Sequence, residues 1–146
     1  MYRDAHGTPD IERKVGLFGT CSGGRHAYLT ACRLGDAIDG VVDCWGGNVV
    51  AAEDALTPAQ PSAPADLIAH LNAPLLGIFG NDDHNPTRED VDKFEEVLRS
   101  HNKEYVFHRY EGAGHFFYRN RPSAYRAEAA VDGWEKVWSF LDRHLS

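Results

Sequence analysis

The sequence predicts a three-layer α/β/α fold with a mainly parallel sheet of about four strands. Two observations carry this. Short apolar runs alternate with amphipathic helical stretches in the order β-α-β-α-β-α-β-α along the 146 residues, and such alternation implies parallel strands with helices on both faces. The residues with chemical potential, Cys21, Asp82, Asp83 and His115, fall just past the ends of predicted strands. Open sheets of this type build their sites there.

Residues 1–13 form a polar N-terminal segment, and residues 14–146 form the domain. "KVGLFG" (14–19) is an apolar run closed by glycine, the pattern of a buried strand. "SGGRHAYLTACRL" (22–34) reads as a helix with Ala27, Ala31 and Leu34 on one face and Gly35 as its stop. "IDGVVDCWGG" (38–47) is a second strand ending in two glycines. Pro58, Pro61 and Pro64 mark 48–65 as a loop, and "ADLIAHL" (65–71) follows as a short helix. "APLLGIFG" (73–80) is the third strand and "NDDHNPT" its exit loop. Thr87 and Asp90 form a capping box for a helix over about 88–101, with Val91, Phe94, Val97 and Leu98 inward. "EYVFHRYEG" (104–112) alternates as the fourth strand. The last helix, about 125–144, places Val131, Trp134, Val137, Trp138 and Leu141 on one stripe.

Composition narrows the function classes. A hydrophobic share of 42% and a charged share of 25% suit a soluble domain. The net charge of −7 and the lack of a basic run argue against nucleic acid or an anionic membrane as partner. No apolar run approaches the roughly 20 residues of a membrane span, and the first residues lack the apolar core of a secretory signal. Cys21, Cys32 and Cys44 fit neither an even disulfide framework nor a metal-binding pair, so a reducing, cytoplasmic setting is expected and no metal is called for.

"GTCSG" (19–23) has the form of a nucleophile elbow with Cys21 at its centre. The nucleophile of an elbow sits in a strained turn between strand and helix, so residues two positions either side must be small. Gly19 and Gly23 meet that demand; centring on Ser22 would put Thr20 there instead. The following helix N-terminus favours a thiolate at Cys21 and aims the Ser22 N–H at a developing oxyanion. The alternative is a small buried cysteine at a tight corner.

A thiolate nucleophile needs a base, and the base needs an orienting acid. Of the eight histidines, His26, His70, His101 and His144 fall in predicted helices, His6 in the polar segment and His108 within a strand. His84 follows the acidic pair. His115, in "GAGH" directly after the last strand, is the expected base. Asp82 and Asp83 are the candidate acids; a plain turn is the competing reading, since Asn and Asp favour turns. Nucleophile, acid and base then follow one another in the order found in α/β-hydrolases.

"GTCSGGR", "GIFGNDDHNPT" and "YEGAGHFF" together resemble the dienelactone hydrolase family of α/β-hydrolases, from about Lys14 to the C-terminus. The resemblance implies the C-terminal half of an α/β-hydrolase fold. It also implies hydrolysis of a small-molecule carboxylic ester or lactone without a cofactor. Cys21 matches the nucleophile, His115 the base and Asp83 the acid, with Asp82 as fallback. Arg119, four residues past His115, matches an arginine that binds the substrate carboxylate; Arg121 lies close by. Trp45 falls where the family lines its pocket, although a core tryptophan is an equal reading.

Family members run to about twice this length. The half with no counterpart here supplies the second oxyanion-hole N–H, an acidic residue that tunes the cysteine, and another arginine. Strand 14–19, central in the full sheet, becomes an open edge, and open edges pair. A homodimer through strand 14–19 is therefore expected. The competing function is a catalytically weak or inactive half-domain acting as a subunit or interaction module.

Overall fold

The computed structural model describes residues 13–58, 60–118 and 122–146. Four strands form one sheet in the order β1-β2-β3-β4, every pair parallel. They are β1 (Gly16–Thr20), β2 (Gly40–Cys44), β3 (Leu75–Gly80) and β4 (Tyr105–Tyr110). Helices α1 (Ser22–Leu34), α2 (Arg88–Ser100) and α3 (Ala127–Leu145) connect or follow them.

Strand alternation sorts the side chains onto two faces. Val41 and Leu75 point to one core, with Ala27, Tyr28 and Ala31 of α1 and Phe94 and Leu98 of α2. Val42, Cys44, Leu76 and Ile78 point to the other, with Trp45, Ala113, Phe117 and Val137 of α3. The result is the three-layer α/β/α architecture read from the sequence. β2 and β3 are buried along their whole length, as expected of strands covered on both faces.

Local chemistry sets the element ends. Thr87 accepts the Asp90 N–H while the Asp90 carboxylate accepts the Thr87 N–H, so the capping box opens α2 as read. β2 stops at Cys44 because Trp45 takes a left-handed φ of 46°. The short helix expected at 65–71 is a 3₁₀ helix over Pro64–His70. It closes with the Leu71 N–H on the Ile68 carbonyl, a three-residue step, and Pro74 follows too soon for an α-helix to grow.

Two helical stripes differ from expectation. In α1, Ala27 and Ala31 are buried but Leu34 is exposed, with Tyr28 and Cys32 inward instead. In α3, Ala130, Gly133 and Val137 face the core, whereas Val131, Trp134 and Trp138 are exposed, Trp138 at 64%. The small residues face inward because the Tyr118 ring lies against Gly133, where a Cβ would come within 2.0 Å of its hydroxyl oxygen. Trp134 instead stacks on Phe18 of β1 at 5.5 Å and on Trp138 at 5.9 Å. Among the described residues β1 is at the sheet edge, so the large apolar face of α3 continues onto that edge strand.

Candidate active site

The β1–α1 junction is a tight elbow. Cys21 has φ 56° and ψ −128°, a backbone state that a non-glycine residue holds only when its surroundings enforce it. The Cys21 N–H donates to the Cys44 carbonyl at 2.9 Å, and the Cys21 carbonyl accepts the Gly24 N–H at 3.0 Å. A Cβ on Gly19 would lie 2.0 Å from the Gly23 carbonyl oxygen, so Gly19 is required. Gly23 is not: a Cβ there meets nothing within 4 Å among the described residues. The second required glycine is Gly24, whose Cβ would fall 2.0 Å from a carboxylate oxygen of Asp43. Ser22 is the first residue of α1, where an N–H has no acceptor within its own helix.

The β3 exit loop settles which acidic residue reaches the histidine. The Asp83 side chain is buried, and its Oδ2 lies 2.7 Å from His115 Nδ1. Its Oδ1 accepts the Asn85 N–H at 2.9 Å. Asp82 is exposed, and its backbone N–H donates to the Ala113 carbonyl across the two loops. His115 follows β4 in the loop that reaches back over β3, where a Cβ on Gly80 would meet the Ala113 carbonyl at 2.3 Å.

Cys21, Ser22, Asp83 and His115 line one cavity of about 320 Å³, with Arg25, Gly47, His84 and Asn85. Asp83 and His115 are hydrogen-bonded, and Cys21 shares their cavity without a hydrogen bond to His115. Catalytic contacts in unliganded sites are often loose. Trp45 is at 2% exposure; it packs on Phe117 and Tyr118 and meets the His115 ring edge-on at 6.4 Å. It therefore backs the histidine from the core rather than forming a cavity wall. Arg119 and Arg121 lie outside the described residues. Among the described residues, no group of three His, Cys, Asp or Glu side chains is placed to hold a metal. No helix among them is long and apolar enough to cross a membrane. All three cysteines are free.

Arg25, Asn85 and Asp43 are functional neighbours that the motifs do not single out. In the sequence Arg25 is only a polar position in "GGRH". Asp43 sat inside a hydrophobic run, where an isolated carboxylate is itself a signal.

A parallel sheet with a strained cysteine elbow after β1, an acid after β3 and a histidine after β4 is the C-terminal half of an α/β-hydrolase. The chain matches the family model described as dienelactone hydrolase family over residues 4–145, and it belongs to that family. It is similar to a protein named "Putative carboxymethylenebutenolidase" from Methylorubrum extorquens AM1, 36% identical over 131 residues, covering 90% of this chain and 43% of the relative. An Escherichia coli K12 protein of the same name is 30% identical over 135 residues, covering 92% and 48%. The crystal structure titled "Putative Dienelactone Hydrolase" from Klebsiella pneumoniae superposes with a TM-score of 0.80 at 28% identity, covering 94% of this chain and 54% of that one. The chain thus spans about half the length of the curated relatives it matches.

Proposed function

We propose that this chain carries the catalytic residues of a carboxylic ester or lactone hydrolase with a cysteine nucleophile. The observation that carries the reading is the 2.7 Å contact between buried Asp83 and His115 Nδ1, in a cavity that also holds the strained Cys21. Asp83 occupies Nδ1 and holds the imidazole, which leaves Nε2 to work on the reacting groups. His115 takes the Cys21 thiol proton as the sulfur attacks the substrate carbonyl. The Ser22 N–H receives the oxyanion. Collapse of the tetrahedral species breaks the C–O bond, and His115 returns the proton to the leaving alkoxide. A water, deprotonated by His115, then splits the thioester, releasing the acid and restoring the thiol. Arg119 is proposed to bind a substrate carboxylate. A reducing, cytoplasmic setting would keep the thiol available. The experiment is hydrolysis of a small activated ester by the chain and by Cys21→Ala. Loss of turnover on substitution supports the reading; turnover that survives it overturns the role of Cys21.

A second reading, that the chain works only as a subunit, is favoured by the β1 edge. Among the described residues no strand pairs with its outer edge, which adjoins Phe18, Trp134 and Trp138, exposed by 43%, 37% and 64%. The proposed occupant is a second copy of this chain, its β1 pairing to give one continuous sheet. A strictly monomeric species by sedimentation at high concentration would refute this.

A further inference from the structure

Asp43 and Asp83 are the buried charged side chains among the described residues, and only Asp83 takes part in the hydrolysis proposed above. Asp43 lies near the end of β2, flanked in register by Gly19 and Gly77. Its Oδ1 accepts the Gly46 N–H at 2.8 Å, while its Oδ2 has no partner. The carboxylate fills space that glycines leave open. A Cβ on Gly24 would come within 2.0 Å of Oδ1; one on Gly46 would come within 2.4 Å of Oδ1 and 2.7 Å of the Arg25 amide nitrogen. The turn after β2 is therefore pressed between this carboxylate and the first turn of α1. The next residue, Gly47, accepts from Arg25 Nη1 at 3.2 Å. Arg25 Nε is buried without a partner, and no carboxylate of the described residues lies within ion-pair distance of its guanidinium. Arg25 borders the cavity that holds Cys21 and His115. A buried carboxylate with one unpaired oxygen is costly to keep, and an apolar side chain would fill the same space more cheaply.

We propose that Asp43 is a positioning residue: its carboxylate holds the Gly46–Gly47 turn against α1 and so fixes Arg25 on the cavity wall, presenting a positive charge beside Cys21. The proposal rests on Cys21 being the reacting group of the cavity.

Alkylation of Cys21 reads this charge without any turnover. Cys32 and Cys44 are buried, so modification of the folded chain reports Cys21. Iodoacetate carries a negative charge and iodoacetamide none, so their rate ratio measures the charge beside the sulfur. Asp43→Ala removes the charge together with the acceptor of the Gly46 N–H. If Asp43 positions Arg25, the ratio falls about fivefold, the size of one charge interaction at a partly solvated site. Arg25→Gln gives the same fall, and the double variant falls no further. If Asp43 acts only through its own negative charge, its removal raises the ratio, and that result, like an unchanged ratio, overturns the proposal. An unchanged iodoacetamide rate shows that the elbow is intact.

Should Asp43→Ala not fold, the wild-type chain decides through pH, because protonation weakens the bond from the Gly46 N–H. Burial pushes the Asp43 pKa up to about 7, against the pull of the Gly46 N–H and the Arg25 charge. Arg25 and Tyr28 face it from α1 and Cys44 adjoins it on β2. As pH drops through 7 the wild-type ratio falls relative to that of Arg25→Gln; parallel courses refute the proposal. A failed ester assay with an intact ratio effect would overturn the hydrolase reading alone.

Discussion

Replacing Asp43 by Asn should change how stability depends on pH. Burial raises the carboxyl from its ordinary 3.8 to about 7. A raised acid favours folding in its protonated form, so its contribution is complete below pH 4 and is lost as pH climbs through 7. At 1.36 kcal/mol per unit, keeping Asp43 ionised in the folded chain costs about 4 kcal/mol at pH 8. At pH 5 the folded chain holds Asp43 protonated, and the cost falls to about 2 kcal/mol by the same conversion. Asn carries no charge at either pH. Whatever its amide loses in the same buried space is the same at both. Relative to wild type, the variant should therefore gain roughly 2 kcal/mol of unfolding free energy between pH 5 and pH 8. Urea denaturation of both proteins at the two pH values measures this, and groups common to both cancel in the difference. Parallel stabilities would refute the reasoning, because they would mean that Asp43 ionises at its ordinary pKa. A variant more stable at pH 8 yet altered in its alkylation ratio would show a buried charge kept for the site at the expense of the fold.

Further outcomes follow from the elbow, the histidine and the edge. His115→Gln should lower ester turnover by about 10²- to 10⁴-fold. Adding Asp83→Asn should cost little more, since the two act as a unit; additive losses in initial rates would separate their roles. Gly19→Ala forces a Cβ to within 2.0 Å of the Gly23 carbonyl oxygen and should destabilise the chain by about 1–3 kcal/mol, read by thermal melting. The same change at Gly23, open in the described structure, should be tolerated in the isolated chain. Trp138→Ser, at the most exposed of the patch residues, should weaken concentration-dependent association in sedimentation while leaving the circular dichroism spectrum unchanged.

What the sequence determined by itself was the order of elements and the points along the chain where chemistry sits. Apolar runs placed β2 and β3, because burial on both faces of a parallel sheet leaves a continuous apolar signature, whereas alternation placed the half-buried β4. The capping box of Thr87 and Asp90 and the glycines around Cys21 were legible because they report local backbone geometry. Tertiary structure decided whatever depends on which surfaces meet. Asp82 and Asp83 are equivalent as turn residues, and only the fold turns Asp83 inward onto His115. The stripe on α3 followed helical periodicity, yet its small residues went inward because the Tyr118 ring occupies the space beside Gly133. Gly24, not Gly23, is the second glycine that the elbow needs, because Asp43 of the neighbouring strand packs against it. Periodicity records how one element divides its own side chains between water and core. It carries no record of which neighbour presses on them, and here those neighbours come from other strands, loops and helices.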